Sequence, residues 1–207
     1  MQGLQKEIMK KITEKDIEEK IIKIAIEIAR QGDGALFVIG NNIRHQRLFK
    51  QKFEPFSIFD RGAEKLLKGL AVIDGAVVID KTGEVKKYGV MIKGARAFMG
   101  FGTRHAAAIS ASKNGNVSVL CSEEEKKVKI FKNGRYIMQI DVLQKNIEKN
   151  ISGISTILET VGAGFIGTIG AVTLAPALGI TLIPGVLIFG GSYYTLKLIL
   201  NRLKKTL

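Results

Sequence analysis

Apolar residues recur at helical spacing over residues 4–30, where Ile8, Ile12, Ile17, Ile21, Ile24 and Ile28 are separated by charged positions. That period predicts an amphipathic helix, broken or re-registered near Thr13 or Asp16. Gly32-Asp33-Gly34 stops it, and the continuous apolar run 35–40 reads as a buried strand. Residues 43–59 are mixed and basic and read as a loop, and 61–70 as a short helix leading to Asp74. Strands are predicted at 77–79 and, after the turn signal Thr82-Gly83, at 85–92. A helix follows over 103–112 with Thr103 as its N-cap. Asn114-Gly115-Asn116 turns the chain into a strand at 117–121, and Asn133-Gly134 between 127–131 and 136–140 marks a β-hairpin. Residues 141–149 predict a closing helix. The expected fold class over residues 1–150 is therefore α/β, a mixed central sheet flanked by helices.

Residues 151–207 differ. From 160 to 196 no residue is charged, and Gly, Ala, Ile and Leu dominate. One membrane-spanning helix takes about 20 residues. This stretch is nearly twice as long, with Pro176 and Pro184 near its middle. It predicts an apolar helical hairpin of two short spans joined around 175–185. Lys145 and Lys149 before it, and Lys197, Arg202, Lys204 and Lys205 after it, place both ends at the cytoplasmic face. The alternative is a glycine-rich helical pair buried in an oligomer. The charged amphipathic start does not read as a signal peptide.

Composition narrows the chemistry. Two histidines and one cysteine fall short of the roughly four ligands of a structural zinc site. Cys121, in a strand-like run, reads as inert core in a reducing compartment. The formal charge of +13 fits a lysine-rich surface of the thermophile kind, or attraction to polyanions or an anionic membrane. Aromatic residues are sparse and do not interleave with the basic ones, which argues against nucleic acid as the partner.

Two motifs carry candidate chemistry. Asp74-Gly75-Ala76 ends an apolar approach and opens a strand, and a carboxylate at a strand edge can hold a divalent metal or take a proton. Gly102-Thr103-Arg104-His105 opens a helix, where backbone N–H groups, a hydroxyl and a cation face an incoming phosphate. One acid beside one anion cradle suits phosphoryl or nucleotidyl transfer.

These motifs resemble the diadenylate cyclase (DAC) domain family, in its archaeal-like branch. The likeness runs from about residue 25 to 140. It takes in the strand 34–40, Asp74-Gly75-Ala76, Gly102-Thr103-Arg104-His105, the run 119–124 with Ser122, Glu123 and Glu124, and 128–134. The resemblance implies an ATP-dependent nucleotidyltransferase that condenses two ATP into the second messenger cyclic di-AMP, releasing two pyrophosphates. It implies catalytic roles for Asp74, Arg104 and His105, and ATP contacts from Gly75, Ala76, Gly102, Thr103, Arg104, His105, Ser122 and Glu123. Asp74 and Glu123 are the implied ligands of Mn²⁺ or Mg²⁺. The implied partner is a facing second DAC domain, each 3′-oxygen attacking the α-phosphate of the opposite nucleotide. The catalytic domain would be cytoplasmic and attached to the membrane by the C-terminal segment. Many family members carry Arg-His-Arg where this chain has Ala106, and the membrane-bound bacterial branch often has His where this chain has Ile73.

Three strings imitate function. Asp33-Gly34-Ala35 repeats the first motif without a following Thr-Arg-His and reads as helix end and strand start. Arg44-His45-Gln46-Arg47 reads as a solvated basic loop. Gly162-Ala163-Gly164-Phe165-Ile166-Gly167 matches a dinucleotide fingerprint, but no acidic residue follows Glu159 to hold a ribose. Lys126, Lys127, Lys129 and Lys132 read as an exposed edge-strand face. Two other functions fit the same residues: a nucleotide sensor that has lost catalysis, and a basic membrane-anchored scaffold or nucleic-acid-binding protein.

Overall fold

The structure, a computed structural model, describes residues 12–50, 52–95, 102–144, 147–162, 173–174 and 180–182. Helix α1 (Glu14–Gln31) begins at a capping box. Thr13 Oγ1 accepts from the Asp16 N–H at 3.2 Å, and the Asp16 carboxylate accepts from the Thr13 N–H at 2.9 Å. The irregularity expected near Thr13 or Asp16 is thus a helix start, and the residues before 12 lie outside those described. Thr13→Ala is expected to lower stability by about 0.5–2 kcal/mol, read as a lower denaturant midpoint. An unchanged midpoint would show that the cap frays in solution.

The remaining elements follow in order: β1 (Ala35–Ile39), β2 (His45–Arg47), β3 (Phe56–Ser57), α2 (Ala63–Ala71), β4 (Ala76–Ile79), β5 (Glu84–Ile92), α3 (Thr103–Ala111), β6 (Val117–Ser122), β7 (Lys127–Lys132) and β8 (Arg135–Asp141). A 3₁₀ turn, Ile147–Asn150, leads into α4 (Ile151–Gly162), and β9 (Thr173–Leu174) and β10 (Ile180–Leu182) complete the set. One mixed sheet has the order β2-β5-β4-β1-β6-β7-β8-β10-β9, with β3 also on β5. Strands β1 and β4 are parallel, Phe37 facing Val77, and the other described pairs are antiparallel.

Both faces of the sheet are covered, which explains why β1 and β4 are apolar without interruption. Phe37, Ile39, Val77 and Ile79 join the core under α1, with Ile17, Ile21, Ile24 and Ile28. Leu36, Val38, Ala76 and Val78 face the other way and pack with Ala108 and Ala111 of α3. The expected α/β class, a mixed central sheet flanked by helices, is the one observed.

Several expectations need correction. Residues 43–59 carry β2 and β3 rather than a continuous loop, and Arg44-His45-Gln46-Arg47 runs along edge strand β2, His45 opposite Ile92 of β5. The described residues of the expected closing helix, 141–144 and 147–149, are a strand end with a turn and a 3₁₀ turn rather than an α-helix. The Asp141 carboxylate accepts from the Leu143 N–H at 3.0 Å, a local turn that competes with helix formation. Helix α4 comes later and packs on α1, where Ser155 Oγ donates to Glu19 Oε1 at 2.9 Å. Ile147, Ile151, Ile154 and Leu158 belong to the α1-side core, so that core crosses the 150/151 division read from composition.

The expected apolar helical hairpin falls largely outside the described residues. Its described pieces, β9 and β10, are strands, with Thr181 opposite Gln139 on the outer edge of β8. An open strand edge offers a row of backbone donors and acceptors, and the β-branched Ile180 and Thr181 suit it. Among the described residues no helix is long and apolar enough to cross a membrane. The glycine fingerprint string also lies outside the described residues, except Gly162 at the end of α4.

Candidate active site

Asp74 sits just before β4, its position set by Gly75, whose φ of +100° turns the chain into the strand. The turn is held by the Asp74 carboxylate, which accepts from the Gly75 N–H at 3.0 Å. Glycine is required here twice over, because a Cβ would stand 2.7 Å from Val90 N and 2.9 Å from Gly89 C of β5. The Asp74 side chain is 83% exposed and aims away from the core.

Across from it is the head of α3. The alanine-rich run after Thr103 favours helix. The N-cap is Gly102, with extended backbone (φ −64°, ψ 166°) and no capping side chain, and Thr103 is the first helical residue rather than the cap. The Gly102 carbonyl accepts from the N–H groups of His105 (3.0 Å) and Ala106 (3.3 Å). No side chain therefore competes with an anion for the first N–H groups of the helix. Arg104 Nη2 lies 4.0 Å from Asp74 Oδ1, an exposed pair that contributes little to stability.

Asp74, Gly75, Ala76, Thr103 and Arg104 line one cavity of about 430 Å³ with an apolar wall of Leu36, Val90 and Ile92. Both predicted motifs therefore meet at one place. A slightly larger cavity, about 460 Å³, opens at the C-terminal end of α3 among Arg44, Lys93, Ser110 and Lys113, but it has no acidic lining.

The guanidinium of Arg104 also crosses the start of β1. A Cβ on Gly34 would collide with Arg104 Nη1 and stand 3.7 Å from Glu123 Oε2. Gly34, read in the sequence as part of a decoy, thus makes the space in which Arg104 and Glu123 converge. Asp33 beside it is exposed at the end of α1. Ser122 ends β6, and its Oγ accepts from the Glu125 N–H at 3.4 Å. Ser122, Glu123 and His105 are not part of the cavity that Asp74 lines.

His105 turns toward β7. Its Nε2 is 2.9 Å from the Lys129 ammonium, and its ring meets Phe131 edge-on at 6.4 Å. Burial, and then the Lys129 charge, hold the imidazole below its ordinary range, while Glu125 acts in the opposite sense. Lys129 itself is buried and paired with Glu125. This overturns the expectation of a solvated lysine face, because β7 lies between β6 and β8 rather than at an edge. Sequence reading missed Lys129. Its signal was the two-residue period that puts it on the same face as Phe131.

Ala106 is buried and does not reach the cavity. Cys121 is buried too, its thiol pushed up by burial and donating to the Ala25 carbonyl at 3.4 Å, as expected of inert core. Among the described residues no three His, Cys, Asp or Glu side chains gather into a metal cage. Two exposed carboxylates, Asp74 and Glu123, still suit a hard cation that takes most of its oxygens from water and phosphate.

A family model described as "DAC: DisA bacterial checkpoint controller nucleotide-binding" matches residues 23–136, more than half of this chain. The chain belongs to the DAC family. This DAC chain is 36% identical over 138 residues to a diadenylate cyclase of Methanocaldococcus jannaschii, covering 59% of this chain and 45% of that protein. It is 28% identical over 137 residues to a diadenylate cyclase of Haloferax volcanii, covering 58% of this chain and 51% of that one. Both relatives are archaeal, in line with the branch expected from the motifs. The DAC chain thus spans about half the length of the curated relatives it matches. Among solved structures, a double mutant of DacA from Staphylococcus aureus aligns with a TM-score of 0.45 at 17% identity, covering 73% of this chain and 98% of that chain.

Proposed function

We propose that this chain is a diadenylate cyclase, condensing two ATP into cyclic di-AMP and two pyrophosphates. The observation that carries the reading is the meeting of the Asp74 carboxylate, the Arg104 guanidinium and the uncapped head of α3 around one cavity in a DAC-family chain. The apolar wall of Leu36, Val90 and Ile92 suits a purine. Gly75 and Ala76 let the nucleotide approach the backbone closely. Thr103, Arg104 and the first N–H groups of α3 take the phosphates, with Ser122 and His105 beside them.

The bond formed joins a ribose 3′-oxygen to the α-phosphorus of the opposite nucleotide. The bond broken is that phosphorus to its bridging oxygen, whose electron pair leaves with pyrophosphate. Asp74 takes or steers the 3′-hydroxyl proton, and Arg104 balances charge as it builds on the phosphorus. Mg²⁺ or Mn²⁺, held by Asp74 and Glu123 together with the triphosphate, would neutralise phosphate charge and make the 3′-hydroxyl more acidic. Because each attack crosses to the facing nucleotide, the active form is a head-to-head homodimer. The charge-free stretch 160–196 supports attachment to the cytoplasmic face of a membrane.

Purified protein incubated with ATP and Mn²⁺ or Mg²⁺, with products separated by mass, tests the reading. Cyclic di-AMP is the expected product. ATP bound without turnover would instead identify a nucleotide sensor, a reading favoured by the buried Ala106, which supplies no cation to the cavity. Gly34→Ala gives a second check. Its Cβ meets the flexible end of Arg104, so the fold should tolerate it while the guanidinium moves. Cyclic di-AMP formation is expected to fall roughly 10–100-fold, the scale of small misplacements at a reacting centre. Undiminished turnover would mean that Arg104 works from a different position.

A further inference from the structure

The DAC domain contains a buried cation for which the proposed chemistry has no direct use. Lys129 is 5% exposed, stands on the α3 side of the sheet, and has its ammonium between two groups. One is the Glu125 carboxylate in the turn between β6 and β7. The other is His105 Nε2, at 2.9 Å. An ammonium has three donors and no acceptor. A ring nitrogen at hydrogen-bond distance from it must therefore be the lone-pair nitrogen, and a neutral imidazole then carries its proton on Nδ1. Free histidine prefers the opposite form.

We propose that Lys129 is a positioning residue that fixes His105 as the neutral Nδ1–H tautomer, so that the residue after Arg104 adds no second cation and no Nε2 base at the head of α3. The assignment rests on the reading of this site as a nucleotide-transfer site only for its consequence. The tautomer itself follows from the contact.

The surroundings support it. Phe131 meets the imidazole edge-on at 6.4 Å, and Tyr136 stacks on Phe131 at 4.9 Å, so the ring plane is fixed as well as its proton. Charged groups that act on the ring include Lys129 on β7 and Glu125 in the turn before it. Burial and the Lys129 charge oppose a second proton on the ring, and Glu125 only partly offsets them, so the imidazole is held toward its neutral form. Glu125 is 41% exposed, so water can solvate it if the lysine is removed, and Lys129→Met leaves no uncompensated buried charge.

The chain has two histidines, which makes the test direct. Protein labelled with ¹⁵N-histidine shows which ring nitrogen bears hydrogen, and His45→Gln removes the other signal set. The wild type is expected to show His105 with Nδ1 protonated and Nε2 bare. Lys129→Arg should preserve that pattern, and Lys129→Met should move His105 toward the Nε2–H form. In parallel, Lys129→Met should lower cyclic di-AMP turnover roughly 10–100-fold, the range for losing a group that orients a functional side chain. A wild-type His105 protonated on Nε2 overturns the proposal without any variant being made. So does a Lys129→Met protein whose His105 signals match the wild type. A wild type that shows the Nδ1–H pattern but forms no cyclic di-AMP supports the lysine's role and removes the cyclase reading instead.

Discussion

Asp74→Asn is expected to give a folded protein whose cyclic di-AMP turnover has fallen roughly 10²–10⁴-fold, the range for removing a group that handles a proton. The fold should be unaffected for local reasons. The side chain is 83% exposed, and its hydrogen bond from the Gly75 N–H can also be accepted by an asparagine oxygen. Its pair with Arg104, at 4.0 Å between two exposed groups, contributes too little to shift a melting curve. ATP affinity should stay near the wild-type value, since the proposed site holds the phosphates from the α3 side. Product assays and nucleotide titration together check this. Full activity in the variant would remove Asp74 from the chemistry and direct attention to Glu123.

Gly75→Ala should do the opposite, harming the fold more directly than the chemistry. Its φ of +100° is a conformation that alanine adopts only under strain. The added Cβ meets Val90 N at 2.7 Å and Gly89 C at 2.9 Å, both backbone atoms of β5 that cannot rotate away. Strain and overpacking together amount to a loss of about 2–5 kcal/mol. Denaturant titration should show a much lower midpoint, and any protein that folds should bind ATP poorly because the β4–β5 approach has opened. Wild-type stability would mean that the chain at Gly75 follows a different path.

Much of this arrangement was legible locally. A strand covered on both faces shows an unbroken apolar run, and β1 showed one. The Asn133-Gly134 hairpin was legible because both residues take positive φ (54° and 72°), which Asn and Gly tolerate best. The two motifs were found because each carries its chemistry within four residues. The errors arose where a distant partner decides the outcome. Thr103 looked like a cap, yet the extended Gly102 backbone does that job and leaves the hydroxyl available. Lys129 looked solvated because Lys126, Lys127 and Lys132 lie close to it in sequence, while its burial depends on β8 on one side and α3 above. Gly34 read only as part of a helix end and strand start, and it is the fold, closing a 70-residue separation, that sets it under Arg104. Strands β9 and β10 sit in sequence suited to apolar helix, and the free edge of β8 determines what they become.

That last edge bears on what can be made in the laboratory. Helix α4 and β10 complete the described core, one covering α1 and the other closing the backbone row of β8. A fragment ending at 150, the division that composition suggests, would leave the α4-facing part of α1 wet and β8 ready to pair with its counterpart on another molecule. Its association in solution would then report a cut surface rather than the proposed pairing of two active sites, and the two should not be confused when a dimer is measured.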